Sequence, residues 1–494
     1  MGGEIGKAEF SQLDRALFNR KLQQNLAALK LLLQRPGFGE GAASIGAEVE
    51  LCIIDAEGRA LARNLEIHAA LGDPRLTLEL NRFNLEFNLS PVPAAGRPFS
   101  QIEAEIVDAL ECVNRAAAGE QARVIPIGIL PTLRRSDFGP HAMTPLRRYA
   151  ALAHSLRQQR GERFNICIGG AEPLALEVGH LTMEGANTSL QIHYRVPPDA
   201  FAHMFNAVQL VTPLVLAVSC NSPLLLGHRL WHETRVPLFK LSVDGRNRDS
   251  RALHLPARVD FGSGWVREGI HELYAAAVHL HEPLLPLPSR ENALARVRAG
   301  KIPQLKELRL HQGTLWPWNR PIYDPAEGGH LRIELRALPA GPSATDMMAN
   351  AAFALGLAKG LEERIDDLLP GIPFAIATHN FYRAAQHGLD ARLSWPDKEG
   401  ALQRRPAAEL ALQLLPVAAR GLRAMQVSAA ESRHYLGVMR TRLERRVSGA
   451  SWQLRQLERL ESRLGRVRAL RLMARRYADL ALANRPVCEW PDIA

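Results

Sequence analysis

The stretch Gly46-Ala47-Glu48-Val49-Glu50-Leu51 constrains this chain more than any other. Two carboxylates sit two residues apart in an apolar run that continues through Cys52, Ile53 and Ile54. Such a run reads as a strand, in which residues i and i+2 share a face. Glu48 and Glu50 then point one way, with Val49 and Leu51 on the other face. Neighbouring like charges weaken a sheet unless something positive lies over them. The pattern predicts a divalent metal ion, held together with carboxylates from elsewhere in the chain.

Four more strand-like pieces carry polar residues, mostly at alternate positions. They hold Glu79; Asn84, Glu86 and Asn88; Ser189, Gln191 and His193; and Arg332, Glu334 and Arg336. Taken singly, each reads as the wet face of an antiparallel sheet. Taken together they lack the Lys, Ser and Thr mixture of a wet face. Carboxylates, amides, an imidazole and arginines suit a cavity that binds Mg²⁺ and phosphate.

The 494 residues, 47% apolar, suffice for a large core and more than one structural unit. A helix is expected over residues 10–33, a hairpin return over 59–63, and helices over 99–118, 145–159, 199–220 and 342–366. Short strands are expected at 76–80, 84–89, 124–130, 188–196 and 330–338. Residues 169–185 read as irregular, and Trp316-Pro317-Trp318 as an aromatic loop that packs or covers a ligand. The longest apolar stretch, residues 205–226, is interrupted by Asn206, Gln209, Pro213 and Pro223, so it reads as a buried helix and loop.

Residues 401–494 hold 18 arginines, no lysine and eight acidic residues, so the whole net charge of +10 lies in this tail. Two helical stretches are expected there, 406–447 and 452–483, with a kink or split at Pro416 and an N-cap at Ser451. The division is a catalytic domain over 1–395 and an Arg-rich helical region over 396–494. The stripe Leu454, Leu457, Leu460, Leu464, Val467 and Leu470 calls for a partner surface, either the catalytic body or another subunit. Little aromatic interleaving argues against nucleic acid as the tail's partner. Five cysteines without paired spacing read mostly as reduced core residues, and the start lacks a signal-peptide pattern. Together these predict a cytoplasmic protein that does not span a membrane.

The motif order resembles glutamate–cysteine ligase family 2, ATP-dependent carboxylate–amine ligases related in fold to glutamine synthetase. The matching residues are Gly46 to Glu50, Leu85-Glu86-Phe87-Asn88, Asn187 to His193, Asn221-Ser222-Pro223 with Glu233-Thr234-Arg235, Arg332 to Arg336, and Asn380 to Leu389. The resemblance implies an α+β fold whose curved, mainly antiparallel sheet lines the active site, with a helical C-terminal region. It implies ATP and Mg²⁺, with Mn²⁺ as a substitute, and phosphorylation of glutamate's side-chain carboxylate before attack by an amine, taken as cysteine's. Glu48, Glu50, Glu79, Glu86, His193 and Glu334 are the implied metal-site residues. Gln191 and His193 would meet the nucleotide and metal, Arg332 and Arg336 phosphate, and Arg235 phosphate or a substrate carboxylate. Asn187 and Thr188 would touch substrate, and Glu50, Arg332 and Arg336 would act in catalysis. Two alternatives stay open: a different amine acceptor, and a non-catalytic protein that works through its basic tail.

Overall fold

The computed structural model describes residues 5–7, 9–397 and 400–493. Among these, eight strands form one antiparallel sheet: β1 (Ser44–Ile54), β2 (Leu76–Leu78), β3 (Asn84–Asn88), β4 (Val92–Pro93), β5 (Arg123–Ile125), β6 (Leu190–Val196), β7 (Asn319–Asp324) and β8 (His330–Leu335). The order is β7-β8-β6-β1-β3-β2, and β4 and β5 pair with the two ends of β1. The long central strand is therefore the one with two glutamates. Its alternation works as expected: Ala47, Val49, Leu51 and Ile53 are buried in the main core with Phe99, Ile102 and Ile106 of the Pro98–Ala118 helix. Each of these side chains larger than alanine contributes about 1.5–3 kcal/mol by burial.

Two helices, Phe201–Ser219 and Ala344–Glu362, run through the centre and are buried on nearly every side. The first is long and apolar enough to cross a membrane, yet here it is a core helix. Its polar residues are spent on neighbouring backbone. Asn206 donates to Val266 O at 2.7 Å and accepts from Val266 N–H at 2.8 Å, and Gln209 Nε2 donates to Phe261 O at 2.6 Å.

Several local expectations change. Residues 64–71 form a helix where only a hairpin return at 59–63 is expected; the return reduces to one bridge between Ile54 and Ala60. Leu174–Val178 is a strand paired with Phe164–Ile168, inside the segment read as irregular. Residues 126–130 leave the sheet after β5. Of the cysteines, Cys52, Cys220 and Cys488 are buried, whereas Cys167 is exposed.

The C-terminal region forms four helices rather than two: Ala407–Ala424, Ala429–Glu444, Gly449–Leu464 and Arg466–Leu482. Pro416 lies inside the first without splitting it. The three breaks come where φ turns positive, at Gln426 (φ 61°), Arg446 (φ 52°) and Gly465 (φ 73°). Ser448, not Ser451, caps the third helix; Ser451 sits at the third helical position and returns a bond to the Ser448 N–H. Not every arginine faces water. Arg442 is buried, donating to Val218 O at 2.6 Å and Asn350 Oδ1 at 2.8 Å. Leu457, Leu460 and Leu470 are buried in the body, whereas Leu464 and Val467 stay exposed at the corner.

The Ala407–Ala424 helix meets Ala344–Glu362 through glycines. A Cβ at Gly421 would fall on the Gly356 carbonyl oxygen and 2.5 Å from Gly360 N. Helix propensity alone predicts that Gly421→Ala stabilises by about 1 kcal/mol. The close approach predicts the opposite, a loss of about 1–3 kcal/mol from overpacking. A raised urea midpoint for this variant would refute the glycine contact.

Candidate functional site

Cross-strand register gathers the polar residues. On β1 and β3, Glu50 faces Glu86; on β1 and β6, Glu48 faces Gln191 and Gly46 faces His193. On β6 and β8, His193 faces Glu334, which faces Arg320 on β7. Directly opposed residues share a face, so one side of the sheet carries Glu48, Glu50, Glu86, Gln191, His193, Glu334 and Arg320. Gly46 offers no side chain opposite His193, whose ring reaches instead to Glu48, Nε2 to Oε1 at 3.1 Å.

Glu48, His193 and Glu334 can each offer a ligand atom with all three atoms within 4.8 Å of one another. Both ring nitrogens of His193 are buried without a hydrogen-bond partner, Nε2 making only its close approach to Glu48. Two carboxylates and an imidazole with neither ring nitrogen hydrogen-bonded fit a divalent cation, the carboxylates suiting Mg²⁺ or Mn²⁺. Glu334 is fully buried and held by Arg320, Nε at 2.6 Å and Nη2 at 3.1 Å, and by Arg336. Burial would raise its carboxyl, but Arg320, Arg336 and His193 outweigh it and hold it well below the carboxylate range. Glu48 behaves alike: burial opposes ionisation, His193 outweighs it, and the carboxyl falls to about 2.

A second set of carboxylates has too few cations. Glu86 accepts from Thr77 at 3.2 Å and Asn88 at 3.3 Å through Oε1, while Oε2 is buried without a partner. Burial, and then the charge of Glu48, push it up to about 7. Glu79 lies just past the end of β2; burial, Glu86 and Glu50 raise it well above the usual range. Glu184, in a short 3₁₀ turn, is pushed up to about 8 by burial and Glu50. Glu50 is raised by burial, opposed by Arg336 and Arg235. It accepts from Ser189 N–H at 2.7 Å and Gln191 Nε2 at 3.0 Å.

Over this face lies a cavity of about 500 Å³, within the range of small-molecule sites. Glu48, His193, Arg320 and Arg332 line it, with Tyr149 and Trp316 as aromatic walls. Arg332 pairs with Asp324 at 3.1 Å, and its Nε has no partner. Lys306 and Arg309 stand exposed at its edge. Trp318 is buried against Phe239 and Phe381, so the aromatic loop is mainly packing, with Trp316 its one cavity residue.

Several expected site residues do not line the cavity, Glu50, Glu79, Glu86 and Glu334 among them. Arg235 is buried, ion-paired to Glu233 at 3.1 Å, and donates to the Ala337 and Arg336 carbonyls; it does not line the cavity. Thr188 is buried with its hydroxyl donated to the carbonyls of Ile127 and Gly128. Asn187 donates to Glu184 O at 2.7 Å and leaves Oδ1 buried without a partner. Arg336 and Gln191 are buried and bonded to each other rather than lining the cavity. Sequence reasoning missed Arg320 and Glu184. Arg320 carried a signal: a strand over 319–324 would have paired it with Glu334. Pro321 masks that strand, and β7 tolerates it because β7 is an edge.

Residues 44–260 match the family model described as glutamate-cysteine ligase family 2, so the resemblance carried by the motifs holds over that span. β8 with Glu334 lies beyond it. No curated protein matches the chain by sequence. The structure resembles the crystal structure of a glutamate–cysteine ligase from Francisella tularensis in complex with AMP, with a TM-score of 0.53, 11% identity and 90% of each chain covered. A bifunctional glutathione synthetase from Pasteurella multocida gives a TM-score of 0.48 at 12% identity, with 93% of this chain and 55% of that one covered. Only the first likeness carries weight, and it bears on the fold. The fold is the expected α+β, glutamine synthetase-like one, with a curled antiparallel sheet and a helical C-terminal region.

Proposed function

We propose that this chain is an ATP-dependent carboxylate–amine ligase. It joins the γ-carboxylate of glutamate to the amino group of cysteine through γ-glutamyl phosphate, giving γ-glutamylcysteine, ADP and phosphate. The observation that carries the reading is the Glu48–His193–Glu334 cluster on a sheet face under an arginine-lined cavity. The family model and the ligase fold support the class of reaction.

Glu48, His193 and Glu334 would hold Mg²⁺, with Glu50, Glu79 and Glu86 as the further carboxylates of the metal region. When bound, the ion supplies positive charge against the polyphosphate. Arg332, in the cavity, meets phosphate oxygens as charge shifts during transfer. Arg320 and Arg336 keep Glu334 ionised, and Arg336 with Gln191 orients Glu50. Lys306 and Arg309, exposed at the cavity edge, suit phosphate or the carboxylate of an amino-acid acceptor. The reaction belongs to the cytoplasm, where ATP and reduced thiols are supplied.

The test is phosphate release by the purified chain with ATP, Mg²⁺ and glutamate against a panel of amines. Cysteine is expected to stimulate release, with γ-glutamylcysteine found by mass spectrometry. Stimulation by another amine and not by cysteine would transfer the reading to that acceptor. If no amine gives glutamate-dependent release, the ligase reading fails.

A further inference from the structure

Behind the site, Asn221 ties three parts of the chain together. Its Nδ2 donates to the Ala340 carbonyl and to the Tyr477 hydroxyl, each at 2.7 Å, and that hydroxyl donates to Pro126 O at 3.1 Å. Gln453 Nε2 donates to Asn221 Oδ1 at 3.0 Å and to its carbonyl at 3.2 Å. The Asn221 N–H donates to Glu233 Oε2 at 2.9 Å. Glu233 Oε1 accepts from the Ser222 hydroxyl at 2.6 Å and from Arg235 Nη1 at 3.1 Å. Arg235 in turn donates to the carbonyls of Ala337 at 3.2 Å and Arg336 at 3.4 Å. All of these side chains are buried.

The node has little slack. A Cβ at Gly341 would stand 2.5 Å from both Pro126 O and the Tyr477 hydroxyl, and one at Gly449 would fall on the Asn221 amide oxygen. On its other side, the segment from 336 to 340 meets the site. Leu190 N–H donates to Leu338 O at 3.0 Å, and Ala340 N–H to Thr188 O at 3.2 Å. Between them, Ser189 N–H holds Glu50. Arg336 reaches forward to Glu334 and Gln191.

We propose that Tyr477 and Gln453, on the C-terminal helices, are positioning residues for the ligase reaction. They act through Asn221, Glu233 and Arg235 to hold Arg336 and the segment behind Glu50 in register. This rests on the ligase reading above. The C-terminal helices then belong to the catalytic machinery although they line no part of the cavity. The physical ground is that a densely bonded buried network, with Arg235 Nε and Gln453 Oε1 its two atoms left without a partner, restricts the arrangement, and a shift of about 1 Å at reacting groups costs about 10²-fold in rate. It also gives the Asn221-Ser222-Pro223 and Glu233-Thr234-Arg235 motifs a task, as supports behind the site.

The test uses the full-length chain with Tyr477→Phe, Gln453→Met and the double variant. Each single substitution is expected to lower kcat about tenfold while changing KM for ATP and glutamate less than about threefold. Because both act through Asn221, the double variant should fall little below the weaker single one, instead of multiplying the losses. Hydrogen exchange should quicken in peptides covering 186–196 and 332–341 and stay unchanged in the Pro98–Ala118 helix. A kcat within about twofold of the parent, multiplied losses, or exchange that rises equally in that helix would each overturn the proposal. If the parent shows no glutamate-dependent turnover, the ligase reading has failed. The exchange pattern then decides the structural link alone, a local change sustaining it and a uniform or absent one refuting it.

Discussion

Glu334→Gln is expected to abolish turnover and to destabilise the fold at the same time. Among the described residues, Glu334 alone both offers a ligand atom to the cation cluster and neutralises two buried arginines, Arg320 and Arg336. Glutamine keeps the volume and one acceptor oxygen but removes the charge. Two buried guanidinium groups then lose the carboxylate they are hydrogen-bonded to, a loss of about 3–5 kcal/mol for a broken buried pair. The same change removes a ligand and the charge that orders Arg336 against Gln191, so turnover should fall by about 10³-fold or more. Unfolding by urea and glutamate-dependent phosphate release are the two measurements. A folded variant with turnover within tenfold of the parent would take Glu334 out of the site. Arg320→Met together with Glu334→Gln separates the effects: it should recover stability by removing one stranded charge and recover no activity.

How much of this could be read beforehand depends on the range of the interaction. The alternation of Glu48 and Glu50 with Val49 and Leu51 is a property of one strand, and the structure keeps it. The same holds for Gln191 and His193 among Leu190, Ile192 and Tyr194. Which residues meet is different. His193 faces Glu334 because β8 pairs with β6 in one register, across 141 positions of sequence, and no local pattern encodes that pairing. Arg320 was hidden because Pro321 argues against a strand interior, a rule that an edge strand escapes. Glu184 sits in a 3₁₀ turn with no periodicity to expose it. Arg235 shows a further limit. A polar motif in a loop looks the same whether its arginine meets a ligand or a backbone carbonyl, and here it meets Arg336 and Ala337. In the tail, composition showed the charge, but only the packed core could decide that Arg442 is inside and Val467 outside.

Cation-free protein is expected to lose stability as pH rises from about 6.5 to 8.5, above the range where the buried His281 and His311, lowered to about 3 and about 4 by burial, add stability with rising pH, and divalent cation is expected to reverse the trend. Glu86 and Glu184, at about 7 and about 8, stand above the ordinary value of 4.5 because burial and neighbouring carboxylates disfavour their charge. In that window the folded chain holds protons that the unfolded chain has released. Stability then falls with rising pH, since the folded state binds more protons. The contribution of these two groups is complete below about pH 4.5 and is lost as pH passes through 7 and 8. Glu48, lowered to about 2, works the other way and erodes stability only on the acid side of 4.5. A tenfold difference in proton affinity between the folded and unfolded chain is worth about 1.4 kcal/mol, so the loss from these two groups between about pH 6.5 and 8.5 is on the order of a few kcal/mol. A divalent cation binds the ionised carboxylates of the folded state alone, so its stabilisation should grow with pH. Melting temperatures at pH 6.5, 7.5 and 8.5, with and without Mg²⁺ or Mn²⁺, measure both slopes. Glu86→Gln supplies the control: Thr77 and Asn88 can still donate to its oxygen, and Oε2 has no partner to lose. That variant should be at least as stable as the parent at pH 8.5 without cation, with a flatter pH profile and a smaller cation effect. If the cation-free parent instead gains stability toward pH 8.5, or cation stabilises equally at both ends, the crowded carboxylates are not what the cation relieves.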